Sequence, residues 1–195
     1  MHDSGICGSG AVYTRWGRTI CPPTSAIIYK GSVGGAKFSQ PGGGANPLCM
    51  PETPQYFKHT DTGTSMSVIM GAEYQIYGEG QRELFNNKLS AISDNMPCVV
   101  CELEKRLSIL MIPARTTCPD NWTIEYVGYL MAENTEHRNF TGGRSMYTCV
   151  DKDSESVPGM ESNVNGLLFY FTSADAHTFL GYKYQKELSC VICSK

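Results

Sequence analysis

The chain has 195 residues, nine of them cysteine, with 18% charged residues and a net charge of −3. That balance leaves no basic footprint for nucleic acid and no polybasic stretch for an anionic membrane, and no apolar run approaches the roughly 20 residues that span a bilayer. Twenty glycines and eleven tyrosines beside so few charges suit a compact, loop-rich β protein.

In chain order, residues 1–10 form an N-terminal segment, in which Met1-His2-Asp3-Ser4-Gly5 holds no signal-peptide core; a secreted chain has then had its signal removed or replaced. Alternating, β-branched or aromatic runs predict strands at 11–16, 26–30, 73–77, 108–112, 123–130, 167–172 and 179–184. Turn-rich stretches separate them at 31–46, 51–64, 133–144 and 151–166. The one helical candidate, 81–90, carries Leu84 and Leu89 with charges between them and reads as a short surface helix. A charge cluster, Glu102-Leu103-Glu104-Lys105-Arg106, marks a boundary. The expected fold is mainly β: two tandem, pseudo-symmetric, disulfide-stapled subdomains, 11–104 and 105–195.

The two halves repeat each other. Arg18–Gly31 and Arg115–Gly128 agree at seven of 14 positions at a constant offset of 97, where random matching gives about one. The match continues through Gly42-Gly43 and Cys49 against Gly142-Gly143 and Cys149, then closes with Cys98-Val99-Val100-Cys101 against Cys190-Val191-Ile192-Cys193. A duplicated unit that keeps four cysteines in order has its fold defined by them.

Three chemistries fit a Cys-x-x-Cys of this kind. A thioredoxin-type redox motif needs a helix N-terminus after a strand and does not come twice with two further cysteines attached. Zinc sites of four cysteines usually bring two short knuckles close in sequence, whereas Cys21, Cys49, Cys98, Cys101 and Cys118, Cys149, Cys190, Cys193 are widely spread. Disulfides are the favoured reading and two four-cysteine zinc sites the rival; an oxidising compartment is also indicated by the sequons at Asn121 and Asn139. In an extended strand residues i and i+3 face opposite sides, so the cysteines of one Cys-x-x-Cys reach different partners. Either of two pairings per copy satisfies this. Cys7 is left over, as a free thiol or an intermolecular bridge.

The string Cys118-Pro119-Asp120-Asn121-Trp122, followed by Tyr126-Val127-Gly128-Tyr129, Tyr147-Thr148-Cys149 and Leu188-Ser189-Cys190-Val191-Ile192-Cys193, resembles the C-terminal non-collagenous domain of type IV collagen. Gly10-Ala11-Val12-Tyr13-Thr14-Arg15-Trp16-Gly17-Arg18-Thr19 and Gly42-Gly43-Gly44-Ala45-Asn46-Pro47-Leu48-Cys49 are closer still to the terminal domain of invertebrate short-chain, spongin-like collagens. The resemblance implies a tandem β fold and assembly of like chains, commonly as trimers. It also implies the pairs Cys21–Cys101, Cys49–Cys98, Cys118–Cys193 and Cys149–Cys190. The type IV domain has a third, local disulfide in each half, for which this chain has no cysteines between Cys49 and Cys98 or between Cys149 and Cys190, and no Gly-X-Y tract precedes Gly10.

Other motifs read more plainly. Asp151, Asp153 and Glu155 alternate like the acids of a calcium loop but lack its turn glycine, so a solvated loop is the simpler reading. Gly42-Gly43-Gly44 is followed by no Gly-Lys-Ser/Thr and is a turn. Ser173, Asp175 and His177 lie too close in sequence to define a triad, and His2, His59, His137 and His177 have no ligand spacing. Tyr56-Phe57 and Asn163-Val164-Asn165-Gly166 are the candidate sugar contacts. The expectation is therefore a secreted, extracellular matrix assembly module that binds itself, trimer favoured, and does no chemistry. No cofactor is expected, with calcium and chloride the only ions left in consideration. Other matrix proteins or glycans are further partners. The alternative is a free-standing secreted lectin on the same scaffold.

Overall fold

The computed structural model describes residues 10–56, 67–86, 89, 94–134, 145–159, 164–174, 179, 181–183 and 185–195. Its elements are β1 (Val12–Trp16), β2 (Ser25–Gly35), β3 (Leu48–Pro51), β4 (Met70–Tyr74), α1 (Gly78–Leu84), β5 (Pro97–Leu103), β6 (Ile109–Pro113), β7 (Thr123–Ala132), β8 (Thr148–Asp151), β9 (Leu167–Phe171) and β10 (Ser189–Ser194). The chain is mainly β, built on one ten-stranded sheet in the order β6-β10-β7-β8-β1-β5-β2-β4-β9, with β3 beside β2 and a further β7–β9 pairing.

Several boundaries differ from those read in the sequence. Residues 31–35 belong to β2 rather than to a turn, because the glycines there let neighbours approach: a Cβ on Gly31 would fall on the carbonyl oxygen of Met50, and one on Gly35 would meet the Leu167 side chain. The strand expected at 73–77 is Met70–Tyr74, and the helix expected at 81–90 is Gly78–Leu84, which buries no residue; Phe85 and Leu89, beyond it, are buried. No strand is found among the described residues of 179–184. That aromatic run instead brings the rings of Phe179 and Tyr182 to 5.6 Å.

Four disulfides staple the sheet: Cys21–Cys101, Cys49–Cys98, Cys118–Cys193 and Cys149–Cys190. Each Cys-x-x-Cys strand, β5 and β10, thus sends one bridge to the turn before β2 or β7 and the other to β3 or β8. Four bridges in a chain of this size suit folding in an oxidising, extracellular setting. Among the described residues no helix is long and apolar enough to cross a membrane.

Strand registers repeat between the halves. Trp16 pairs with Cys98 as Pro113 pairs with Cys190, and Val33 pairs with Cys49 as Leu130 pairs with Cys149. The β2–β5 ladder skips Ile28 and the β7–β10 ladder skips Glu125, which are equivalent at the offset of 97. Tyr29 donates its hydroxyl hydrogen to the Cys49 carbonyl at 3.2 Å, and Tyr126 donates to the Cys149 carbonyl at 2.9 Å. Even the left-handed residue after the first strand recurs, as Gly17 (φ 87°) and Ala114 (φ 57°). Side chains differ at most of these positions, so backbone pairing and disulfides define the repeated unit.

Candidate functional site

The halves join through two contacts that involve different strands of each. β1 meets β8 in parallel at Trp16 and Val150, and β4 runs parallel to β9, pairing Ala72 with Leu167, Glu73 with Leu168 and Tyr74 with Phe169. Around this junction Val33, Tyr74, Met96, Val150, Leu167 and Phe169 share one buried cluster with Trp16 packed against it. Phe85 extends it by ring contacts to Tyr129 and Phe171 at 5.4 and 5.5 Å. Burial raises the Tyr74 hydroxyl far above its ordinary pKa, and that hydroxyl donates to the Glu155 carbonyl at 2.9 Å.

Polar groups edge the same junction. The Arg15 guanidinium holds Asp151, with Nη2 2.7 Å and Nε 2.8 Å from Oδ2, and lies over the Tyr126 ring at 5.7 Å. Arg18 pairs with Glu155 at 3.2 Å and donates to the Asp153 carbonyl at 2.6 Å, while Thr19 donates its hydroxyl hydrogen to Glu155 at 2.7 Å. Lys152 holds Asp153 at 2.7 Å. The three acids that alternate like calcium ligands are therefore each matched by a cation of this chain. Among the described residues no group of three or more His, Cys, Asp or Glu could hold a metal ion. Their partners Arg15 and Arg18 lie 136 and 137 residues away, a pairing that local spacing does not reveal.

A second junction is buried beside the boundary expected between residues 104 and 105. Glu125, bulged inward from β7, takes the Arg106 guanidinium at 3.1 Å, the Ser194 hydroxyl at 2.5 Å and the Tyr13 hydroxyl at 3.3 Å. The Tyr13 and Tyr126 rings stack at 6.4 Å above it.

Two clefts meet at Glu133. One, of about 320 Å³, lies between this carboxyl with Ser145 and the 36–45 loop with Phe38 and Lys37. The other, of about 280 Å³, is lined by Asn134, Tyr147, Tyr170, Thr172 and Ser173. Burial pushes the Glu133 carboxyl up to about 7, although it accepts the N–H groups of Leu168 and Asn134. A third cleft, apolar and of about 350 Å³, opens beside β6 between Pro113, Leu130, Ala174 and Leu188. Neither Glu133 nor this third cleft is marked in the sequence by a motif.

The remaining sequence candidates are placed as follows. Asn121 sits exposed in a left-handed turn (φ 65°) before β7, a position accessible to a glycan. Cys7, Asn139, His2, His59, His137, Asp175, His177, Phe57 and Asn163 lie outside the described residues. Ser173 bridges Glu187 through its backbone. Tyr56 is 79% exposed. Val164 donates its N–H to buried Glu73 at 3.1 Å, and N–H groups of Asn165 and Gly166 also hold that carboxylate, so this stretch ties the halves together. Gly43 takes a positive φ of 107°, as a turn requires. No family model matches the chain.

Proposed function

We propose that the chain is an extracellular, disulfide-stapled assembly module of the collagen non-collagenous type, which works by binding copies of itself and carries out no reaction. The observation that carries this reading is where its apolar surface lies. Leu48 and Met50 on β3, Val68 and Ile69 before β4, Leu110 on β6, and Phe179 and Tyr182 by the third cleft are each 40 to 60% exposed. Of the strands that carry them, β3 and β6 each pair with one neighbour only among the described residues, which leaves one edge of each unpaired. An unpaired edge flanked by apolar side chains is a template for another chain. Native mass across a hundredfold dilution series tests the reading: a reversible oligomer is expected, with a trimer favoured, and a strict monomer at every concentration would overturn it.

The clefts at Glu133 support a second reading, a lectin. A carboxyl, an amide, hydroxyls and two tyrosine rings in one recess are what a saccharide's hydroxyls and C–H face require. A monomer that binds on a glycan array, and loses that binding in Glu133→Ala, would favour it over assembly.

A further inference from the structure

The turn that enters β2 is repeated before β7, and the two copies are used differently. Ser25 donates its N–H to the Pro22 carbonyl at 3.0 Å, and Trp122 donates to the Pro119 carbonyl at 3.2 Å, so each copy closes a four-residue turn. In the first copy the Arg106 guanidinium reaches Thr24 and donates to its hydroxyl at 3.0 Å. The second copy holds Asn121 at the matching position, exposed and with a φ of 65°. A left-handed third residue makes a type II turn and suits asparagine, which accounts for Asn121. It does not account for Thr123, whose counterpart near the start of β2 is Ala26. Both ends of the triplet change together, from Thr24-Ser25-Ala26 to Asn121-Trp122-Thr123. The change completes an N-glycosylation sequon whose asparagine and threonine are both exposed.

We propose that Asn121 carries an N-linked glycan. This rests on the extracellular reading of the chain, since the oligosaccharide is transferred in the secretory pathway. In that transfer the Asn121 side-chain nitrogen bonds to the anomeric carbon of the sugar, the bond from that carbon to a polyprenyl diphosphate carrier breaks, and the amide loses one proton. Chain order favours the reaction. Cys118 bridges Cys193, 75 residues further on, so the sequon is made well before the bridge that fixes its turn can close. In the finished fold the glycan stands at one end of the sheet, where Thr123 pairs with Ser194 and Ser194 with Ile109. Ile124, 48% exposed, and Leu107, 69% exposed, lie at that end, and Leu107 donates its N–H to the Lys195 carbonyl. A bulky, hydrated chain of sugars beside them keeps that end in water. The repeat thus covers one copy of the turn with a guanidinium of its own chain and the other with sugar.

The test is to secrete the full chain from mammalian cells behind a cleavable signal and map its peptides after treatment with peptide N-glycosidase, which turns a glycosylated asparagine into aspartate. Conversion at position 121 is expected, with a loss of mass. Thr123→Ala gives the second copy the residue of the first and leaves the turn its asparagine, so it should fold with four disulfides and lose the glycan at 121. Asn139→Gln should keep that glycan. Releasing the sugar from the folded chain should also lower the ammonium sulfate concentration at which it precipitates, because salting-out acts on exposed apolar surface. An unmodified Asn121 in a secreted chain with all four bridges formed would overturn the proposal, and equal salting-out of the two forms would overturn the covering role. A chain that is never secreted with its bridges formed would instead remove the extracellular reading beneath it.

Discussion

Glu125 shows how one residue separates two otherwise matching strands. Its counterpart Ile28 occupies the same bulge and is 49% exposed, while Glu125 turns inward and holds Arg106, Ser194 and Tyr13. Removing one partner leaves a buried group unpaired, so Glu125→Ala should lower stability by about 3 kcal/mol, read from urea midpoints; Ile28→Ala, on the surface, should change it by less than about 1 kcal/mol. Glu133 carries a pH signature. Its folded value near 7 lies above the ordinary 4.5, so the folded chain keeps this proton where the unfolded chain has lost it. The stabilisation is full below pH 4.5 and is lost as pH rises through 7. Denaturation midpoints should fall over that range in the wild-type chain, and Glu133→Gln should flatten the slope, with solvent screening limiting its size because the side chain is only half-buried. An unchanged slope would show that this carboxyl titrates normally.

Among the elements, β2 and β7 carry the repeated architecture because each pairs with its own Cys-x-x-Cys strand and its own third strand. Gly31 and Gly128 make that three-strand arrangement feasible: a Cβ would fall on the Met50 carbonyl oxygen at one and on the Val150 carbonyl oxygen at the other. Gly31→Ala and Gly128→Ala should each cost at least about 2 kcal/mol through forced backbone separation, whereas Gly80→Ala, with open space around it, should be neutral or mildly stabilising. Thermal melts of the three variants compare them directly. Gly31, with Gly34 and Gly35, accounts for one misreading, since a Gly-rich stretch signals a turn by composition while here the missing side chains let neighbouring segments approach. Part of the local structure was legible: the runs at 11–16, 26–30, 108–112, 123–130 and 167–172, the strand character of Cys98–Cys101 and the matched segments Arg18–Gly31 and Arg115–Gly128, whereas 179–184 forms no strand among its described residues. Which cysteine takes which partner did not follow from strand geometry, which left two pairings open; it entered through the resemblance. The junctions could not be read at all. Parallel pairing of β4 with β9, and Arg15 with Asp151, join segments roughly a hundred residues apart with no shared local pattern.

For the whole molecule, the exposed apolar side chains on β3, before β4, on β6 and by the third cleft are the surface on which the proposed assembly depends. Association through that surface removes carbon from water and adds few charges, so it should persist at high salt. A sedimentation series from 0.05 to 1 M salt should show the oligomer fraction unchanged or raised. Dissociation by salt would point to ion pairs and contradict an apolar contact. The most direct test of where copies meet is amide hydrogen exchange on the wild-type chain at low and high concentration. Protection should rise in the exposed apolar stretches, 48–51, 67–69 and 109–113, and stay constant in β5, whose amides are already buried in the sheet. Protection that rises only elsewhere, or not at all, would contradict it.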